Sequence, residues 1–239
     1  MKGLLLRGFL NLKKPSKIII ALALVAFGIG MVYLTLMNKD SYQDETEMLL
    51  SHWFSGAFIC ICISLIFMSS YMEDYSTKWN IYCDILPLKT GTRVASGFVF
   101  AAIVNVVSAI LASFEPLVHC IAKNCFSLDQ YIFGITNLFC TAQLIISIYL
   151  IFTLIFKKYS IFALMGVTFL LGLSFGSSDI LFRMDKIIKD IAEYLNGKNL
   201  ILVSLAELVF IAALTALLHL ITVFVCKNIH KWLRAIKNK

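Results

Sequence analysis

Apolar residues along this chain gather into six long runs: Ile18–Leu36, Trp53–Ser70, Val94–Phe114, Tyr131–Phe156, Ser160–Gly176 and Leu200–Cys226. A helix rising 1.5 Å per residue crosses a ~30 Å hydrocarbon layer in about 20 residues, and the runs are of that order. A membrane β-strand would need only ~10 residues, alternating apolar with polar. These runs are longer and do not alternate, so the pattern predicts an all-α integral membrane protein of six transmembrane helices. The second run carries Ser55, Gly56, Ala57, Cys60, Cys62 and Ser64, small residues that suit close helix–helix approach. The fifth is the shortest and holds Gly166, Gly172 and Gly176.

Three segments outside the runs are amphipathic. In residues 1–17, Leu4, Leu5, Phe9 and Leu12 share one helical face, and Lys2, Arg7, Lys13 and Lys14 lie on the rest. This predicts an N-terminal interfacial helix that turns into the first span at Pro15-Ser16, the alternative being a frayed basic leader. In the Tyr71–Arg93 loop, Trp79, Tyr82 and Leu86 fall at i, i+3 and i+7, and Pro87 ends the helix they imply. Such a helix can float on lipid or dock into a groove on a soluble partner. In Ser177–Asn199, Ile180, Leu181, Met184, Ile187, Ile188, Ile191 and Leu195 repeat at helical spacing, with Asp179 as N-cap and Gly197 as stop. That segment is expected at, or dipping into, the interface between the fifth and sixth spans.

Composition agrees with the pattern. The 239 residues are 60% hydrophobic and 15% charged, and the mean hydropathy is +0.87. Soluble domains run nearer 45–50% and about 25%. Disordered chains lie further off on the other side, and collagen-like classes need far more than the 12 glycines and 3 prolines present. No soluble domain and no cleavable signal peptide are expected, and residues 1–239 read as a single transmembrane domain.

Charge then sets orientation. Fifteen of the 21 lysines and arginines fall in residues 1–17, the Tyr71–Arg93 loop, Lys157-Lys158 and the tail 227–239, and six fall in the opposite loops. Ten of the 14 carboxylates run the other way. Both termini of this multi-pass membrane protein are therefore expected in the cytoplasm. The net charge of +7 is explained by basic residues facing an anionic leaflet, with no nucleic-acid partner needed.

Ionisable groups at bilayer depth cost ~2.5–3.5 kcal/mol on insertion scales and are functional suspects. Glu207 is the one acidic residue within the six runs, and it shares a helical face with Ser204, Thr215, His219 and Thr222. The face can line a substrate or proton pathway; equally, Glu207 can reach the outer interface while His219 bonds a neighbouring helix. Asn105, Asn137 and Gln143 read as interhelical glue. Of the seven cysteines, Cys120 and Cys125 share an outer loop and are able to form a disulfide; no His or Cys spacing fits a metal site.

Taken together, the interfacial N-terminal helix, six spans, loop helix and late outer helices resemble the ABC-2 type transporter permeases. The local motif is Glu73-Asp74, then Trp79 and Tyr82, then Leu86-Pro87-Leu88 at the foot of the third span. It is similar to the "acidic pair, glycine or aromatic, tyrosine, Leu-Pro-hydrophobic" run of small bacterial members. Lys89-Thr90 and Gly97 stand where the family often has a serine, a basic residue and a later lysine.

The resemblance implies a permease subunit without cofactors of its own, ATP and Mg being held by a cytoplasmic ATP-binding partner. The chain itself has no G-x-x-x-x-G-K-[ST] loop. It also implies that Glu73, Asp74, Trp79, Tyr82, Leu86 and Pro87 form a coupling helix, that a second permease copy or paralogue completes the pathway, and that peptides or amphipathic, drug-like compounds are exported. An ion- or proton-coupled secondary carrier using Glu207 is the alternative, although inverted repeats are not visible. A membrane-embedded enzyme is disfavoured, since Glu207 and His219 are twelve residues, ~18 Å, apart along one helix.

Overall fold

The computed structural model describes residues 5–6, 15–37, 45–76, 89–124, 126–156 and 199–237. Among them there is no strand, and the elements are α1 (Pro15–Met37), α2 (Glu45–Ser76), α3 (Thr90–Ala112), α4 (Phe114–Ala122), α5 (Leu128–Phe156) and α6 (Leu200–Lys237). Five helices are long and apolar enough to cross a membrane; α3 and α4 together count as one of them. The expected fifth span Ser160–Gly176 and the outer helical segment from Ser177 to Lys198 lie outside the described residues.

Several helices run past the apolar stretches that predict them. α2 continues through Glu73-Asp74 to Ser76, and α3 begins at Thr90, so the expected Tyr71–Arg93 loop is shorter at both ends. No Gly or Pro lies between Tyr71 and Ser76 to stop the helix. For the same reason α6 runs on to Lys237 through most of the tail expected from residue 227. Its start is fixed by Asn199, whose Oδ1 accepts from the backbone N–H of Ile201 and Leu202 at 3.1 and 3.3 Å.

A third departure matters most. The third span was expected to end at Phe114 and give way to a loop, but residues 114–122 form a separate helix. Pro116 supplies the physical reason: it has no N–H to give the Ala112 carbonyl, and its ring crowds that group. The regular helix is interrupted at Ser113, whose backbone stays in the right-handed helical region, and α4 packs on α1 and α2. Asn124, at φ 52°, ends it in the left-handed region that asparagine tolerates.

The helices enclose two apolar layers. One joins Met68, Val94, Phe98, Phe100, Ala101, Val104, Ile146, Leu150 and Leu154, with Leu5 of the N-terminal segment packed against it. Leu5 faces this core while Leu6 is exposed, in line with the apolar face read for residues 1–17. The other joins Ala21, Ile59, Cys60, Ile63, Ala109, Ala112, Leu138 and Ala142. At the His52 end, Trp53 lies flat over Gly134 of α5 and near the Tyr131 ring.

Candidate functional site

Polar side chains enter the bundle at three places. Between the two apolar layers, Asn105 of α3 donates through Nδ2 to Gln143 Oε1 of α5 at 2.7 Å, and Gln143 Nε2 reaches Ser147 Oγ at 3.4 Å. All three are buried. This contact is the interhelical bond read for Asn105 and Gln143, and Asn105 Oδ1 has no hydrogen-bond partner among the described residues. An Asn105→Leu variant strands the Gln143 amide in an apolar layer. Its expected cost is about 1–3 kcal/mol in unfolding free energy, measured in detergent by denaturant titration.

The stripe on α6 faces inward. Ser204 and Thr222 are buried, Glu207, Thr215 and His219 are half-buried, and the opposite face (Val209, Phe210, Leu220, Phe224) is exposed. The covered side packs mainly on α5 and also on α3. Ser204 and Thr222 satisfy their hydroxyls within α6, on the carbonyls of Leu200 and Leu218. His219 meets the edge of Phe98 at 5.7 Å between ring centroids. Glu207 Oε2 and His219 Nε2 are buried and have no hydrogen-bond partner among the described residues.

The third place is a polar cluster that sequence reading passed over. Glu115, in the first turn of α4, is 2% exposed. Its Oε1 lies 3.2 Å from His52 Nδ1 and accepts a hydrogen bond from Ser55 Oγ, both on α2. His119, one turn further along α4, stacks against the His52 ring with centroids 4.6 Å apart at 37°. The helix that holds them is seated on two glycines. A Cβ at Gly28 of α1 would lie 2.9 Å from Glu115 Oε2 and 2.7 Å from Ile59 Cδ1. A Cβ at Gly56 of α2 would meet the Ala112 carbonyl at 3.6 Å and the Pro116 ring at 3.9 Å, which are ordinary contact distances. The signal for this cluster was present as Glu115 and His119 at i, i+4 around Pro116, with His52 at the start of a span. Their charge and the proline ended the apolar run, so they read as loop.

No group of three or more His, Cys, Asp or Glu among the described residues is arranged to hold a metal ion. Cys120 is buried in α4, and Cys125 lies outside the described residues, so their pairing stays an expectation. The same holds for most of the coupling helix: Trp79, Tyr82, Leu86 and Pro87 lie outside, and Glu73-Asp74 sit on the last turns of α2.

Against known proteins, a family model described as ABC-2 family transporter protein matches residues 3–227. No curated protein and no solved structure matches the chain.

Proposed function

The chain belongs to the ABC-2 family of transporters, and on that premise we propose that it is the permease subunit of an ATP-driven exporter. The observation that supports this best is the extent of the family match, residues 3–227, which takes in α1 through most of α6. The chain has no phosphate-binding loop, so hydrolysis falls to a separate cytoplasmic ATPase subunit that holds ATP and Mg. Both termini lie in the cytoplasm. The α2–α3 connection, from Glu73-Asp74 through Trp79 and Tyr82 to Leu86-Pro87, is where that subunit docks. A rigid helix such as α2, running unbroken from Glu45 to Ser76, carries a push on its cytoplasmic end into the bundle. Two permeases, identical or paralogous, frame the pathway, and the cargo is a peptide or an amphipathic, drug-like molecule.

The test is joint purification with a candidate cytoplasmic ATPase subunit. The wild-type permease should bring that subunit down and stimulate its ATPase activity in proteoliposomes. Trp79→Ala combined with Tyr82→Ala should lower stimulation and export at least tenfold while the permease itself stays folded. Full stimulation by the double variant would remove the docking role. Glu207, within an apolar span and with Oε2 lacking a hydrogen-bond partner among the described residues, favours a second reading as a proton-coupled carrier. Export that persists without any ATPase and fails in Glu207→Gln would establish that one instead.

A further inference from the structure

We propose that Glu115 is a positioning residue of the export cycle: it holds α4 down on α1 and α2, and the seat is released and remade as cargo passes. The inference rests on the exporter reading above. It starts from the interruption at Ser113, three residues before Pro116, which sets the nine residues of α4 off from the long α3 as a helix of their own. What fastens α4 is polar. Glu115 Oε1 takes Ser55 Oγ and His52 Nδ1, and the His119 ring lies on that of His52. The four groups join α4 to one turn of α2.

A buried charged or hydrogen-bonded pair is a poor choice if firmness is all that matters, since apolar residues of similar volume hold as well or better. Such a pair fixes one arrangement by its directionality, and its groups can find other partners when the helix shifts. Two further features fit a seat of that kind. Gly28 leaves the room that the carboxylate occupies, where a Cβ would lie 2.9 Å from Glu115 Oε2. Glu115 Oε2 is fully covered yet has no hydrogen-bond partner among the described residues, leaving half the carboxylate's acceptor capacity unused in this arrangement. Phe114 and Ile121 on the other side of α4 are exposed, so the helix is covered on one side only by the described residues.

Cys120 offers a local readout, being buried at 6% exposure within α4. The chain is prepared with its other six cysteines replaced by alanine and placed in proteoliposomes with the ATPase subunit. Three quantities are followed: the rate at which maleimide labels Cys120, ATP hydrolysed per molecule exported, and Tm. Glu115→Gln keeps the shape of the side chain and an oxygen able to accept from Ser55 Oγ, and His52→Gln keeps an N–H donor while losing the ring that lies against His119, so Tm should move little. Cys120 labelling should rise at least tenfold, and export per ATP should fall at least fivefold with hydrolysis retained. Combining the two should add little to either alone, because they act as one unit. Unchanged labelling overturns the assignment, as does faster labelling with export per ATP intact, which would make the seat structural only. A loss of export that tracks a lowered Tm also overturns it. If the wild type shows no ATP-driven export, the exporter reading falls and the role in export with it; Cys120 labelling then still decides separately whether Glu115 holds the helix.

Discussion

Replacing Glu115 by leucine is expected to cost about 3–5 kcal/mol of unfolding free energy, among the largest effects of any single substitution in this protein. The leucine removes the acceptor of His52 Nδ1, which stays buried, and one of two acceptors of Ser55 Oγ, which is half-buried and keeps the His52 carbonyl. What is lost is less the attraction itself than the solvation that buried polar groups gave up on folding. The prediction therefore has a second half. A Glu115→Leu, His52→Phe double variant takes away both members of the pair and should recover most of the loss. Denaturant unfolding of the four proteins in detergent measures the cycle: a double variant as unstable as the sum of the singles would show that the pair is not the unit it is taken to be.

The other large expectation concerns Gly134. A Cβ placed there would lie 2.3–2.5 Å from three ring atoms of Trp53, distances no side chain tolerates. The indole also packs beside Tyr131, so it cannot move aside without disturbing a second aromatic. Gly134→Ala should thus destabilise by about 1–3 kcal/mol and Gly134→Leu by more, as overpacking forces α2 and α5 apart. Trp53→Ala should restore tolerance of Gly134→Ala, although at its own packing cost. Tm in detergent separates the outcomes, and Gly134→Ala at the wild-type Tm would refute the contact. Helix propensity alone predicts the opposite sign, since alanine favours helix by roughly 1 kcal/mol over glycine. The sign of the measured change therefore tests the packing argument directly.

These two sites mark where sequence reading succeeds and where it stops. The starts and ends of helices are local matters. Pro15 opens α1, Asn199 caps α6, and the lack of Gly or Pro after Tyr71 and Lys227 lets α2 and α6 run on. The last two were readable but were overridden by reliance on hydrophobicity, which locates the lipid boundary rather than the end of a helix. Asn105 and Gln143 were legible as interhelical glue because a polar residue inside an apolar run has few alternatives to another polar residue. Their choice of each other was not, because nothing local brings residues 38 positions apart together. The stripe from Ser204 to Thr222 was legible as one face, and only packing showed that the face looks toward α5 and α3.

The sequence by itself determined that this is a helical membrane protein, because runs of some twenty apolar residues have one stable arrangement in a bilayer: every backbone group bonded within its own helix. It also carried the family pattern, spread over most of the chain. The tertiary structure alone decided that Glu115, His52 and Ser55 form a cluster. By composition, a carboxylate and a proline followed three residues later by a histidine belong to a surface loop. They are interior here because Gly28, on another helix, leaves the space that the Glu115 carboxylate fills, and because the acceptor on one helix meets donors on another 60 and 63 residues away. Complementarity of that kind is a property of pairs of surfaces, and no run of residues contains it.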